Sequence, residues 1–454
     1  MQTFSVPNIR SKKTILALGA ESAGNFSIFK NGIIHFSQNF GDLLKEVNFT
    51  KYETELNKYL KNKKIKPDVI LTDLHPDFKT TRLGIELSKK YKAKHIQVQH
   101  HIAHIFSQLG KNMIISNFQF FRPRRTSLGL AISKQFSNSN VQIPNLFYGI
   151  ALDGTGYGTD GKIWGGECFA ISNFQFFRPR RTSLGLAISK QFSNSNDKIF
   201  KQKMRIERIG HLENQIMIGG ELAIREPARI LISILDKFSI FNFKFSNNDK
   251  IYKFKNKKDF IFHFVKKYYS RNQFELLYNQ LEQNFNCIET SSTGRILDAV
   301  SLLLGFCKNE RKSKHQATYL LEINSSAPYT DLKPKINIIK NNSILNTTFL
   351  FEYLIKNINK DKKRLAATAQ LYIAQGLHEI IKKHSLVIPA EAGIQKSSKL
   401  PPIILSGGIS NNKIISQYFS KQNKKAGISI SETPAIPRGD AGLSFGQIVY
   451  YLGF

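Results

Sequence analysis

Three cysteines in 454 residues, Cys168, Cys287 and Cys307, lie far apart and form no metal-binding spacing. That excludes a disulfide framework and fits a reducing, cytoplasmic setting. No apolar run reaches the ~18 residues needed to cross a bilayer. The longest candidate, Ala299 to Cys307, reads as a buried helix segment. Met1 to Lys13 has no apolar centre, so no secretory signal is expected. Acidic residues are scarce, 33 against 66 Lys and Arg, which leaves a formal net charge of +33. Such an excess raises the question of a polyanion partner. The basic residues nevertheless come in short runs (Lys61 to Lys66, Lys253 to Lys258, Lys360 to Arg364), without the aromatic interleaving of an RNA module. They read as a surface of biased composition, and neither nucleic acid nor a membrane is an expected partner. What remains is a chain with 41% hydrophobic residues, long enough for two lobes.

One string occurs twice. Ile115 to Asn140 and Ile171 to Asn196 are identical letter for letter. Structural repeats diverge because each copy packs against different neighbours, so identity implies copying at the DNA level. Both copies fall where a surface loop is expected, and such loops tolerate insertion at small entropic cost. Ser385 to Ser397 also reads as inserted and resembles peptides encoded by dispersed palindromic repeats. The alternative for the Arg-rich copies (Arg122 to Arg125, Arg178 to Arg181) is nucleic-acid binding.

With these segments set aside, the pattern is regular. Thr14 to Leu18 is an apolar strand, and Asn31-Gly32 is a hairpin turn between Asn25 to Lys30 and Ile33 to Ser37. Val69 to Thr72 reads as a buried strand and Thr81 to Tyr91 as a helix. His100-His101-Ile102-Ala103-His104 opens another helix. Its outer histidines, four apart, share a face and can grip one ion from the same side. Taken alone, the pair fits a helix with scattered surface histidines equally well. Tyr148 to Leu152 reads as a strand, Asp153 to Gly158 as a glycine-rich turn, and Lys162 to Phe169 as a strand. Further on come Ser406-Gly407-Gly408 after a strand and Gly439-Asp440-Ala441-Gly442 before a final helix. Glycine lets backbone N–H groups approach phosphate oxygens closely. Two sets of strand, turn and hairpin followed by a late strand–Gly-Gly–helix lead us to expect an α/β, duplicated actin/Hsp70-like (ASKHA) two-lobed nucleotide-binding fold.

The motifs together resemble the C-terminal, carbamoyl-transferring half of the HypF family of hydrogenase-maturation carbamoyltransferases. The resemblance runs from about Thr14 onward, apart from the insertions and the poorly matching Ser239 to Asn286. It is carried by Gly19 to Glu21, Ser37 to Leu43, Asp73 to Phe78 and Val98 to His104. It continues through Asp153 to Glu167, Ala223 to Pro227, Ser291 to Val300, Leu405 to Asn412 and Ile436 to Gln447. The resemblance implies transfer of a carbamoyl group from carbamoyl-adenylate to the C-terminal cysteine of a HypE-like acceptor, on the way to the cyanide ligand of [NiFe] hydrogenase. It implies a divalent metal, iron or zinc, on His100, His104, Asp153 and Asp440. It also implies ATP or carbamoyl-adenylate on Gly154, Gly156, Gly294, Asp298, Gly407, Gly408 and Asn412. No enzyme nucleophile is required, because the partner thiolate attacks, and Cys168 reads as packing. Without the resemblance, Asp153 also fits a turn aspartate satisfying its own backbone.

The expected organisation is a tail (1–13), the first part of the first lobe (14–114), an inserted repeat loop (115–140) and a first-lobe or cleft segment (141–170). A second inserted loop (171–196), a second lobe with a helical insert (197–384), an inserted segment (385–397) and second-lobe nucleotide and metal motifs (398–454) follow. The family's acylphosphatase-like, zinc-finger and adenylate-forming modules are not in this sequence, so a separately encoded HypF N-terminal half is an expected partner. Three positions depart from the family pattern. Ala23 stands for a lysine, Ser313-Lys314-His315-Gln316 for Tyr-Glu-Gly-Gln, and Gly439 for an asparagine. With the insertions, these departures keep open a truncated, non-catalytic remnant; a further alternative is a tRNA threonylcarbamoyl-transferase-like enzyme, which also carries His-x-x-x-His and a late aspartate and would suit the basic charge.

Overall fold

The computed structural model describes residues 1–6, 11–115, 146–173, 204–239, 245–247, 250–252, 254–340, 342–392, 400–426 and 436–453. The first lobe begins with strands β1 (Gln2–Ser5), β2 (Ile15–Ala17), β3 (Ser27–Lys30) and β4 (Ile33–Phe36). Helix α1 (Glu46–Asn62), strand β5 (Val69–Asp73), helix α2 (Lys79–Tyr91), strand β6 (Lys94–Val98) and helix α3 (His100–Ile115) follow. The hairpin turns at Asn31-Gly32, both with positive φ, as a two-residue hairpin loop requires. The sheet order is β1-β4-β3-β2-β5-β6. The segment expected as a tail thus supplies an edge strand, paired with β4 from Gln2↔Phe36 to Ser5↔Ile33.

The second lobe starts with β7 (Leu146–Tyr157), β8 (Ile163–Asn173), β9 (Met204–Leu212) and β10 (Gln215–Ile218). Helices α4 (Leu222–Arg225) and α5 (Pro227–Asp236) come next, then the small β11–β12 pair (Phe245–Asn247, Lys250–Tyr252). After them come α6 (Lys257–Val265), α7 (Arg271–Glu282), β13 (Cys287–Thr290), α8 (Thr293–Leu303) and α9 (Gln316–Ile323). The lobe closes with β14 (Ile336–Ile339), β15 (Asn342–Leu345), α10 (Thr347–Lys356), α11 (Lys362–Ala392), β16 (Ile403–Ser406) and α12 (Lys413–Lys425). A last helix, α13 (Leu443–Gly453), completes the described chain.

The two sheets repeat one plan. In each, an antiparallel meander (β2-β3-β4 and β7-β8-β9) has a parallel strand laid beside its first member, β5 on β2 and β16 on β7. This is the duplicated α/β, actin/Hsp70-like arrangement that the sequence leads one to expect. In such sheets ligand sites lie beyond the carboxyl ends of the parallel strands. Asp73 closes β5, the His100 helix follows β6, and Gly407 follows β16.

Four expectations need correction. The strands of 141–170 belong to the second sheet, not to the first lobe, although Phe147, Ala151, Trp164 and Phe169 pack into the first-lobe core. Asp153 to Tyr157 is not a turn: it continues β7 past a bulge between Leu152 and Gly156, and the chain reverses at Gly158 to Lys162. Helix α11 runs to Ala392, into the segment read as inserted after His384. The chain after 436 does not stay with the second lobe, since α13 packs against α3 and β2. Of the two copies, Ile115 ends α3 and Ile171 to Asn173 end β8; the remainder lies outside the described residues.

Helix α13 reaches the first lobe through a tight crossing. A Cβ on Gly446 would stand 1.9 Å from the Ala103 carbonyl oxygen, and one on Gly110 would stand 2.5 Å from Val449. Gly19 N–H donates to Gln447 Oε1 at 3.1 Å, and the Ser27 and Ser444 hydroxyls meet at 2.8 Å. Ala in place of Gly inside a helix ordinarily gains ~1 kcal/mol in propensity. Here overpacking against backbone, about 1–3 kcal/mol or more, outweighs that gain. Gly446→Ala is therefore expected to lower stability, read as a reduced urea midpoint; an increase would show that the crossing tolerates a methyl group.

Candidate functional site

Four side chains converge from three separate stretches. His100 and His104 stand on adjacent turns at the start of α3, with ring centroids 4.8 Å apart. Asp153 comes from the bulged end of β7 and Asp440 from a short turn of 3₁₀ helix before α13. His100 Nε2 lies 3.1 Å from Asp153 Oδ2 and 3.7 Å from Asp440 Oδ1. His104 Nε2 lies 3.6 and 3.3 Å from the same two oxygens. One donor atom from each residue falls within 4.8 Å of all the others, and His100, His104 and Asp153 are buried.

This geometry suits a shared cation. Neither ring nitrogen of buried His104 has a hydrogen-bond partner. Donors held ~2.1 Å from a tetrahedral ion would be about 3.4 Å apart, which matches the separations of 3.1–3.7 Å found here. Two imidazoles with two carboxylates suit iron or zinc better than magnesium. His100 Nδ1 faces Asp73 Oδ2 at 2.7 Å, so Asp73 fixes the ring and leaves Nε2 for the cluster. Burial alone would disfavour charge on His100. The Asp73 charge and the contacts to Asp153 and Asp440 outweigh it and push its pKa well above the ordinary value. Desolvation would raise both Asp153 and Asp440, but the histidine contacts reverse this and hold both below the usual carboxylate range. His101 points elsewhere, against Gln99 and Gly156; burial and then the neighbouring His100 charge push its pKa down to about 3.

Backbone surrounds the cluster on the second-lobe side. Gly407 has φ +89 and lies so near β7 that a Cβ would meet the Leu152 carbonyl oxygen at 2.1 Å. Only glycine fits there, and the Gly407-Gly408 backbone is brought up to Asp153. Gly156 packs under the imidazoles, where a Cβ would stand 2.4 Å from His101 and 2.7 Å from His100. Gly154 abuts Gly294, and the Ser292 hydroxyl that caps α8 donates to the carbonyls of Asp153 and Gly154.

Two predicted nucleotide residues have their side chains engaged inside the protein. Asp298 pairs with Arg295 at 2.7 Å and with Arg311 at 3.2 Å. Asn412 caps α12 and donates to Gln370 and Glu322. Two supporting residues escaped sequence reasoning because they lay inside motifs quoted whole. Asp73 is one. Glu167 is the other: fully buried, it accepts from Arg208 Nε at 2.6 Å, from the N–H groups of Gly165 and Gly166, and from the Ser291 hydroxyl. Arg208 lies over the Trp164 ring at 3.9 Å. Burial would raise the Glu167 pKa, but the Arg208 charge and its other partners bring it down to about 2.

Residues 149–184 and 198–447 match the family described as "Carbamoyltransferase, Kae1-like Domain, second subdomain", and residues 10–111 match "HypF Kae1-like domain". The chain belongs to the HypF carbamoyltransferase family. A probable carbamoyltransferase HypF of Methanocaldococcus jannaschii is 33% identical over 98% of this chain and 47% of its own length. A HypF homolog of Cupriavidus necator is 23% identical over 98% of this chain and 93% of its length. The crystal structure of T. kodakarensis HypF superposes with a TM-score of 0.70 at 26% identity, over 98% of this chain and 49% of that one. A full-length HypF in a phosphate- and nucleotide-bound form shares the fold at the same TM-score and 23% identity. The chain spans about half the length of the Methanocaldococcus jannaschii relative, and likewise of a carbamoyltransferase HypF of Synechocystis that is 25% identical over 99% of this chain. Between residues 10 and 447 the two family matches leave 112–148 and 185–197 unmatched. Among the described residues, no helix is long and apolar enough to cross a membrane.

Proposed function

We propose that this chain transfers a carbamoyl group from carbamoyl-adenylate to a cysteine thiol at the C-terminus of a HypE-like acceptor. The adenylate is made from ATP and carbamoyl phosphate by the family's N-terminal, adenylate-forming half. The observation that carries this reading is the convergence of His100, His104, Asp153 and Asp440 beside the Gly407-Gly408 backbone. Those four residues would hold a divalent iron or zinc ion, which supplies charge to polarise a carbamoyl oxygen and to anchor phosphate.

The chain's own residues do the positioning. Asp73 keeps the His100 ring turned toward the cluster. Gly154 and Gly408 leave open space for the adenylate beside it, and Gly156, Gly294 and Gly407 let the surrounding chain close up around the cluster. The acceptor sulfur attacks the carbamoyl carbon, the C–S bond forms, the bond from that carbon to the phosphate oxygen breaks, and AMP leaves. The thiol proton passes to solvent. Because the mixed anhydride is already activated, the step needs only placement and charge stabilisation.

The isolated chain is expected to leave the acceptor unmodified when given ATP and carbamoyl phosphate. It is expected to add a carbamoyl group when given preformed carbamoyl-adenylate or the family's adenylate-forming half, read as a mass increase on the acceptor cysteine. No increase with folded, metal-loaded chain and supplied adenylate would overturn the proposal and leave the non-catalytic remnant.

A further inference from the structure

Lys314 belongs to the second lobe, in the segment between α8 and α9, yet its ammonium lies 3.5 Å from Asp440 Oδ2 and 3.5 Å from the Ser22 carbonyl oxygen of the first lobe. Settled ammonium–carboxylate hydrogen bonds are about 2.7–2.9 Å long, so both contacts are loose. Its side chain is 47% exposed, and an exposed pair of this kind exchanges partners at little cost. The two oxygens of Asp440 divide their roles. Oδ1 faces His100 and His104, whereas Oδ2 faces Lys314. The ammonium therefore sits on the outer side of the cluster, where an anion bound to it would extend.

The backbone supports this placement. His315, directly after Lys314, has φ +74, a left-handed conformation that is unfavourable for any residue but glycine. Its ring comes within 3.9 Å of where a Cβ on Gly408 would stand. Strain of this sort persists where the surroundings enforce it and concentrates at ligand sites. Here it turns two consecutive side chains to the cleft, one toward Asp440 and one toward the Gly407-Gly408 backbone.

We propose that Lys314 is a phosphate-binding residue of this cleft, its ammonium exchanging Asp440 Oδ2 for a non-bridging oxygen of the adenylate phosphate. The inference rests on the nucleotide reading above. A compact ammonium on a flexible stem suits a phosphate monoanion. Its contact with Ser22 brings the second lobe's cation to the first lobe's edge, so a bound phosphate would tie the lobes together.

The test is calorimetric titration of the full chain with AMP and, separately, with adenosine, for the wild type, Lys314→Ala and Lys314→Arg. Lys314→Ala is expected to weaken AMP binding about tenfold or more while adenosine binding stays unchanged. Lys314→Arg, which keeps the charge, is expected to stay within about threefold of wild type for AMP. Equal AMP binding by wild type and Lys314→Ala would overturn the proposal and leave the nucleotide reading standing. An equal loss of AMP and adenosine would also overturn it, as would increased retention of iron or zinc with AMP affinity unchanged, which would make Lys314 a counter-ion only. A wild-type chain that binds neither ligand would overturn both readings.

Discussion

Chains carrying His100→Ala together with His104→Ala are expected to leave purification without iron or zinc, whereas the unaltered chain retains the ion. The reason is geometric. Two of the four converging donors are these Nε2 atoms, and the remaining pair, Asp153 and Asp440, are mutually repelling carboxylates. Asp73→Asn makes the graded comparison. It removes only the carboxylate that orients His100 and is expected to weaken retention by about 10–100-fold. Metal analysis of gel-filtered protein reads both, with circular dichroism to show that the variants are folded. Unchanged metal content in the double variant would place any bound ion elsewhere.

Glu167→Gln is expected to change the acid limb of stability. A carboxylate whose folded pKa is depressed contributes stability that is fully present above its unfolded value. That stability disappears as pH falls through the folded value. For Glu167 the window runs from 4.5 down to about 2. A shift of that size corresponds to about 3 kcal/mol. The unaltered chain should therefore lose more stability than Glu167→Gln across this window, read as the difference between urea midpoints at pH 5 and pH 3. At neutral pH the variant should be the weaker of the two, because Arg208 would remain partly buried with only Asp160, 3.9 Å away, as a charge partner. Parallel acid limbs for the two proteins would show that Glu167 is not the titrating group.

The duplicated fold was legible wherever local chemistry decided structure. Asn31-Gly32 permits little but a hairpin, and the spacing of His100 and His104 puts both rings on one helix face. Asp153 and Asp440 reached the candidate site only through the family resemblance, because they are 287 positions apart in the sequence and no period links them. The stretch after Leu152 was misread for a physical reason. Glycines usually signal turns, but 154, 156 and 158 alternate, and alternation is also the period of a strand. Here the missing side chains make room for His100, His101 and Trp164. Asp298 was expected at the nucleotide only because the family resemblance carried it there. Its partner Arg311 lies 13 residues on, beyond the motif, and only the fold shows the pair. The destination of α13 was not readable at all, since its apolar residues would fit either lobe equally well.

Helix α13 leaves the first lobe unfinished for most of the chain's synthesis. Gly19 and Gln447, which join by a hydrogen bond, are separated by 428 positions. At ~5–20 residues per second a ribosome needs roughly 20–90 s to cover that distance. From the time α3 is made, Phe106, which meets Tyr450, and Gly110, which meets Val449, lack the cover of α13, and Asp440 has not yet been made. A nascent chain therefore cannot assemble the four-residue cluster early, however quickly its first sheet forms. A chain interrupted before Asp440 lacks one of the four converging side chains and leaves bare the face of α3 that α13 covers.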